Sequence, residues 1–159
     1  MPNIKDILYV RFRVTDLQAQ KQFLEDFGFQ TKIDGDLLMA RGTDETPYIY
    51  LAQEAVEPGF VCVGFAAESA DALREIAAID QVPVEANPLE GGGLIAHLTD
   101  PNGFAVDVVA NISAAPSLTV AGRSGLNSGN EKQRLGERVA FADPECSIKR
   151  LGHVVLMVN

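Results

Sequence analysis

The chain has 159 residues, 47% of them apolar, which suits one domain or one domain with an appendage. A formal charge of −9 argues against nucleic-acid phosphate as a partner. No apolar run approaches the ~20 residues a membrane span needs. Two histidines and two cysteines argue by count against a metal site of three or four His and Cys ligands within this chain. The N-terminus, Met1-Pro2-Asn3-Ile4-Lys5-Asp6, shows no basic segment followed by an apolar core, so a cytoplasmic, reduced setting is expected.

Ile7 to Val14 alternates as a half-buried strand, with Arg11 and Arg13 on its wetter face. Thr15-Asp16-Leu17-Gln18 fits a capping box and opens a helix to about Phe27, with Ala19, Phe23, Leu24 and Phe27 on its inner face. Gly28 stands where a helix-ending glycine is expected. Three strands follow, 29–33, 37–40 and 48–51, separated by turns at 34–36 and 43–47.

The order then repeats. Residues 60–67 read as a strand, Ser69 as a helix N-cap, and Leu73, Ile76, Ala77 and Ala72 as the buried stripe of that helix. Strands are expected at 82–86, 94–98 and 104–109. The last two are joined by Asp100-Pro101-Asn102-Gly103, a tight-turn sequence between apolar arms. Asp16 and Ser69 hold the same place in each unit, which sets an internal period of 53 residues. The fold class expected is α+β: two tandem βαβββ modules, 7–54 and 60–110, forming a mixed, mostly antiparallel curved sheet with helices on the outside. Residues 113–150, rich in Ser, Gly, Ala and Asn and then charged, read as a linker. The apolar run Leu151 to Asn159 matches 7–15 in pattern, with His153 over Tyr9. It reads as the first strand of a truncated third module, the alternative being a ninth strand on the existing sheet.

The doubled βαβββ unit, the Asp100-Pro101-Asn102-Gly103 turn and the Leu151-Gly152-His153-Val154-Val155-Leu156 run together resemble the vicinal oxygen chelate superfamily, which includes glyoxalases, bleomycin-resistance proteins and extradiol dioxygenases. The layout resembles most the N-terminal part of a two-domain extradiol ring-cleavage dioxygenase, whose first pair of modules carries no metal. The resemblance puts the family's metal-ligand positions on Tyr9, Cys62 and Asp107. One carboxylate and no imidazole make a poor Fe(II) site, since two His and one carboxylate are wanted. His153 falls where the first metal ligand of a catalytic pair would stand, its partners lying beyond Asn159. The implied parent protein uses Fe(II), an aromatic diol of the catechol or 2,3-dihydroxybiphenyl type and O2. It is expected to be a homo-oligomer without nucleic-acid or membrane partners. The same fold also implies two alternatives: a metal-free module for planar hydrophobic ligands, and a glyoxalase-type metal isomerase or lyase.

Taken one by one, the remaining residues have plainer readings. Asp107 reads as a solvated residue on the sheet or as a relic ligand. His97 reads as a structural or surface histidine with no visible partner, and Cys62 as a small core residue. Gly91-Gly92-Gly93 lacks the following Lys-Ser/Thr of a phosphate loop. Arg11 and Arg13 read as solvated or paired with the chain's excess acids, an anion in the cleft being the other possibility.

Overall fold

A computed structural model describes residues 3–118 and 148–157. Its elements run β1 Ile4–Val14, α1 Leu17–Asp26, β2 Gln30–Asp34, β3 Leu37–Arg41 and β4 Tyr50–Glu54. Then come β5 Gly59–Ala67, α2 Ala70–Ile79, β6 Glu85–Ala86, β7 Leu94–Thr99 and β8 Ala105–Ala110. The strands form one open sheet in the order β2-β3-β4-β1-β5-β8-β7-β6. Two neighbouring pairs, β1–β4 and β5–β8, are parallel and the other five are antiparallel. The mixed, mostly antiparallel pair of βαβββ modules is therefore present.

The ladder between β1 and β5 carries the repeat itself. Tyr9 faces Gly64 and Arg11 faces Cys62, while Val10 faces Val63. A shift of 53 residues turns the first pairing into the second and returns the third to itself. The modules are thus related by a local two-fold through Val10 and Val63.

Both helices pack on one side of the sheet. α1 covers Leu38, Ala40 and Ala52 through Leu17 and Leu24. α2 covers Ala96, Val108 and Ala110 through Ala72, Leu73 and Ala77. The other side, here the open face, has its own core of Tyr9, Tyr48, Leu51, Met39, Cys62, Ile95 and Val109. Burying both sides of the central strands is what lets so small a unit hold together.

Several local expectations change. The cap of α1 is Asp16, whose carboxylate accepts from Gln18 N–H at 2.8 Å and Ala19 N–H at 2.9 Å; Thr15 does not start the helix. The inner face of α1 is Leu17 and Leu24. Phe23 and Phe27 are 56% and 53% exposed and pack on each other, with ring centroids 5.5 Å apart. Starting the helix at Leu17 makes Leu17 and Leu24, two full turns apart, the stripe that meets the sheet. The expected strand at 82–86 shortens to Glu85–Ala86.

Residues 113–118 lie against the β3–β4 loop, with Ala115 N–H bonded to Glu45 O and Leu118 N–H to Thr43 O. The same loop donates from Thr43 N–H to Ile148 O, so the two ends of the expected linker meet there. Residues 119–147, including Cys146, lie outside the described residues. Leu151–Met157, expected as a strand, carries neither strand nor helix. A strand is defined by its ladder, and pattern alone supplies no partner.

Candidate functional site

The open face is organised around Asp107. It is 5% exposed, so the solvated reading is wrong. A carboxylate this deep needs donors, and three converge on it. Tyr9 OH donates to Oδ2 at 2.6 Å, Cys62 Sγ–H donates to the same oxygen at 3.1 Å, and His97 Nδ1 meets Oδ1 at 2.6 Å. They come from β1, β5 and β7, so one side chain on β8 ties both modules together.

Each approach has a local cause. The Asp100–Gly103 turn sets the hairpin register. Gly103 N–H bonds to Asp100 O, Asp100 N–H bonds to Phe104 O, and Gly103 holds φ +88. From that closure the strands count back to His97 opposite Asp107. The partner thought absent for His97 was therefore legible in the turn. Gly64, between Tyr9 and Asp107 in the ladders, clears the path for the phenol. A Cβ at residue 64 would run into the Tyr9 ring at Cε1. The Tyr9 ring continues edge-on into Tyr48, with centroids 5.3 Å apart. Asn87 Nδ2 donates to Tyr48 OH at 3.2 Å and to Gly92 O at 2.9 Å, which pins the glycine loop over the open face. Tyr48, Asn87 and Gly64 carried no functional signal in the sequence. Their roles depend on strands distant along the chain.

The electrostatics follow from burial. Desolvation first, and the Asp107 charge second, push the Tyr9 phenol well above its ordinary range. The same two causes, in the same order, push the Cys62 thiol up, with Arg11 opposing weakly. Both groups stay protonated and serve as donors.

Tyr9, Cys62 and Asp107, aligned on the metal-ligand positions by resemblance, do come together. They do not fit Fe(II). A thiol and a phenol must lose their protons to bind a metal, and here those protons are committed to the carboxylate that would be the third ligand. Among the described residues, no group of three or more His, Cys, Asp or Glu is arranged to hold a metal ion. His153 lies elsewhere. It is exposed and lines an open cleft of about 430 Å³ with Ile4, Lys5, Ile7, Val63 and Phe65.

Arg11 and Arg13 complete the open face. Arg11 Nη2 donates to Gln53 Oε1 at 3.0 Å, and Gln53 Nε2 donates to Asp36 Oδ2 at 2.8 Å. Arg11 Nε–H is buried with no acceptor. Such a donor costs about 1–3 kcal/mol. The expected pairing with acids is not found for either arginine among the described residues.

No family model matches the chain, and no curated protein does. Solved structures do. The Mn(II)-bound glyoxalase from Novosphingobium aromaticivorans matches with a TM-score of 0.67 and 21% identity, over 76% of this chain and 44% of that one. A variant of homoprotocatechuate 2,3-dioxygenase from Brevibacterium fuscum matches at 0.66 and 18%, over 74% of this chain and 35% of that one. The anaerobic complex of the same enzyme with 3,4-dihydroxyphenylacetate also matches at 0.66 and 18%, over 74% and 40%. The chain thus spans less than half the length of each. At these identities the likeness establishes a shared fold.

Proposed function

We propose that this chain, which has the paired-module fold of the vicinal oxygen chelate superfamily, is the metal-free N-terminal pair of an Fe(II)-dependent extradiol dioxygenase acting on catechol-type diols. The observation that carries the reading is the occupied ligand position. Where a catalytic pair would put imidazoles and a carboxylate on a metal, this pair has Tyr9, Cys62 and Asp107 satisfying one another. The coverage of about a third of a dioxygenase chain supports it, as does the Leu151-Gly152-His153 pattern after a linker.

In this reading no bond of the substrate is made or broken by residues 7–110. Their work is to hold a rigid sheet beside the catalytic pair. His153 would be the first of the residues holding iron in the catalytic pair, and the iron would supply a Lewis-acid and redox centre for the diol and O2. The parent is a soluble oxidoreductase of aromatic catabolism in the cytoplasm, and a homo-oligomer.

The test uses the full-length gene product loaded with iron. Oxygen uptake and a yellow ring-cleavage product are expected with catechol, 2,3-dihydroxybiphenyl or 3,4-dihydroxyphenylacetate. His153→Ala should lose iron, whereas Cys62→Ser should keep it. Iron-loaded protein inert to all three diols, or iron lost with Cys62 and kept without His153, overturns the reading.

A second reading, a binding module for planar hydrophobic ligands, is favoured by one feature. An open apolar cleft of about 750 Å³ is lined by Ile4, Phe65, Ile76, Leu98, Val106 and Val108. Calorimetry of the chain with naphthalene-type compounds tests it, and absence of heat removes it.

A further inference from the structure

We propose that Arg11 and Arg13, side by side on the open face of β1, form a receptor for a small organic carboxylate. The inference does not depend on the dioxygenase reading.

Residues 10–14 run in unbroken register beside β4, so Arg11 and Arg13, two residues apart, share a face. The other described arginines are already engaged. Arg74 pairs with Asp71, Arg150 pairs with Asp6, and Arg41 donates to the carbonyls of Gly42, Asp44 and Pro116. Arg11 and Arg13 have no carboxylate partner among the described residues, in a chain with 22 acidic side chains.

The surroundings orient the pair. Gln53, opposite Arg13 in the ladder, is fixed by Asp36 and turns its carbonyl oxygen to Arg11, holding that guanidinium in place. Gly59 leaves room for Arg13: a Cβ there would lie 3.2 Å from Arg13 Nη2. Arg13 stands exposed, where a ligand can reach it. Guanidinium groups present parallel N–H bonds that match the two oxygens of a carboxylate. The flanks are apolar, with Leu37 on one side and Val61 on the other, both partly buried against the open-face core. A carboxylate carried on an apolar body fits that mixture better than a bare inorganic anion.

The experiment titrates benzoate into the isotope-labelled full chain and follows the arginine Nε–H resonances by NMR. Benzamide and inorganic phosphate are run in parallel. Benzoate is expected to shift Arg11 and Arg13 together, with benzamide silent and phosphate weaker. Arg13→Gln, an exposed change that leaves the core intact, should weaken benzoate about tenfold or more. Arg11→Lys should weaken it too, although the charge is kept. Unmoved arginine resonances, an equal response to benzamide, phosphate binding as tight as benzoate, or Arg13→Gln binding like the parent would each overturn the proposal.

Discussion

The two modules share a plan and differ at the positions the two-fold exchanges. Tyr9 of the first stands where Cys62 stands in the second, and Arg11 where Gly64 stands. Matched by their neighbours in the parallel ladders, Leu51, beside Arg11, is the counterpart of Asp107, beside Gly64. One module supplies bulk and a donor, and the other supplies space and an acceptor. The asymmetry shows how a doubled sheet can fill its own central cleft. A large residue on one side needs a glycine on the other, and the buried carboxylate takes one of its donors, Tyr9, from across the seam.

The comparison can be broken at Asp107. Asp107→Ala leaves the Tyr9 hydroxyl and the Cys62 thiol buried without an acceptor and should cost about 3–5 kcal/mol in urea denaturation. The double change Asp107→Leu with Tyr9→Phe, which copies Leu51 and removes the orphaned hydroxyl, should recover a good part of that loss. A double variant no more stable than Asp107→Ala would mean the network is not what joins the modules.

Gly64→Ala attacks the space instead of the charge. Its new methyl group meets the Tyr9 ring, so a loss of about 1–3 kcal/mol is expected, with changed near-ultraviolet circular dichroism from displaced tyrosines. Parent-like stability and spectrum would show that Tyr9 has room the geometry denies it.

The donors themselves give a pH signature. Tyr9 and Cys62 have their folded pKa values raised above the ordinary 10.0 and 9.0. Their contribution is therefore whole below pH 9 and falls as pH rises beyond it, because the unfolded chain releases protons that the folded chain retains. Stability should decline above about pH 9 in the parent, and less steeply in a Tyr9→Phe, Cys62→Ala variant. Equal slopes would place the alkaline loss elsewhere.

The smallest effect is expected on α1. Phe23→Ser changes an exposed ring and should alter stability by about 0.5 kcal/mol or less. A larger loss would mean that the helix buries a face the sheet does not account for.

Much of the fold was legible in the residues. The 53-residue period, the caps near Asp16 and at Ser69, and the turn at 100–103 are local or repetitive features, and backbone preference with hydrophobic alternation is enough to place them. The hairpin turn even held the His97–Asp107 pairing, since loop length fixes register. The helix face of α1 was less legible. Of its four candidates, Ala19, Phe23, Leu24 and Phe27, only Leu24 is buried, and the position of β2 to β4 makes that choice. The site was the least legible part. An aspartate in an apolar strand reads the same whether water or Tyr9 answers it. That answer comes from a strand 98 residues away along the chain, through a glycine whose role appears only when the two strands lie side by side. Sequence determined the modules because their forces act over a few residues. Tertiary structure alone decided that Asp107 is buried and shared, because desolvation and hydrogen-bond partners depend on what the fold brings near.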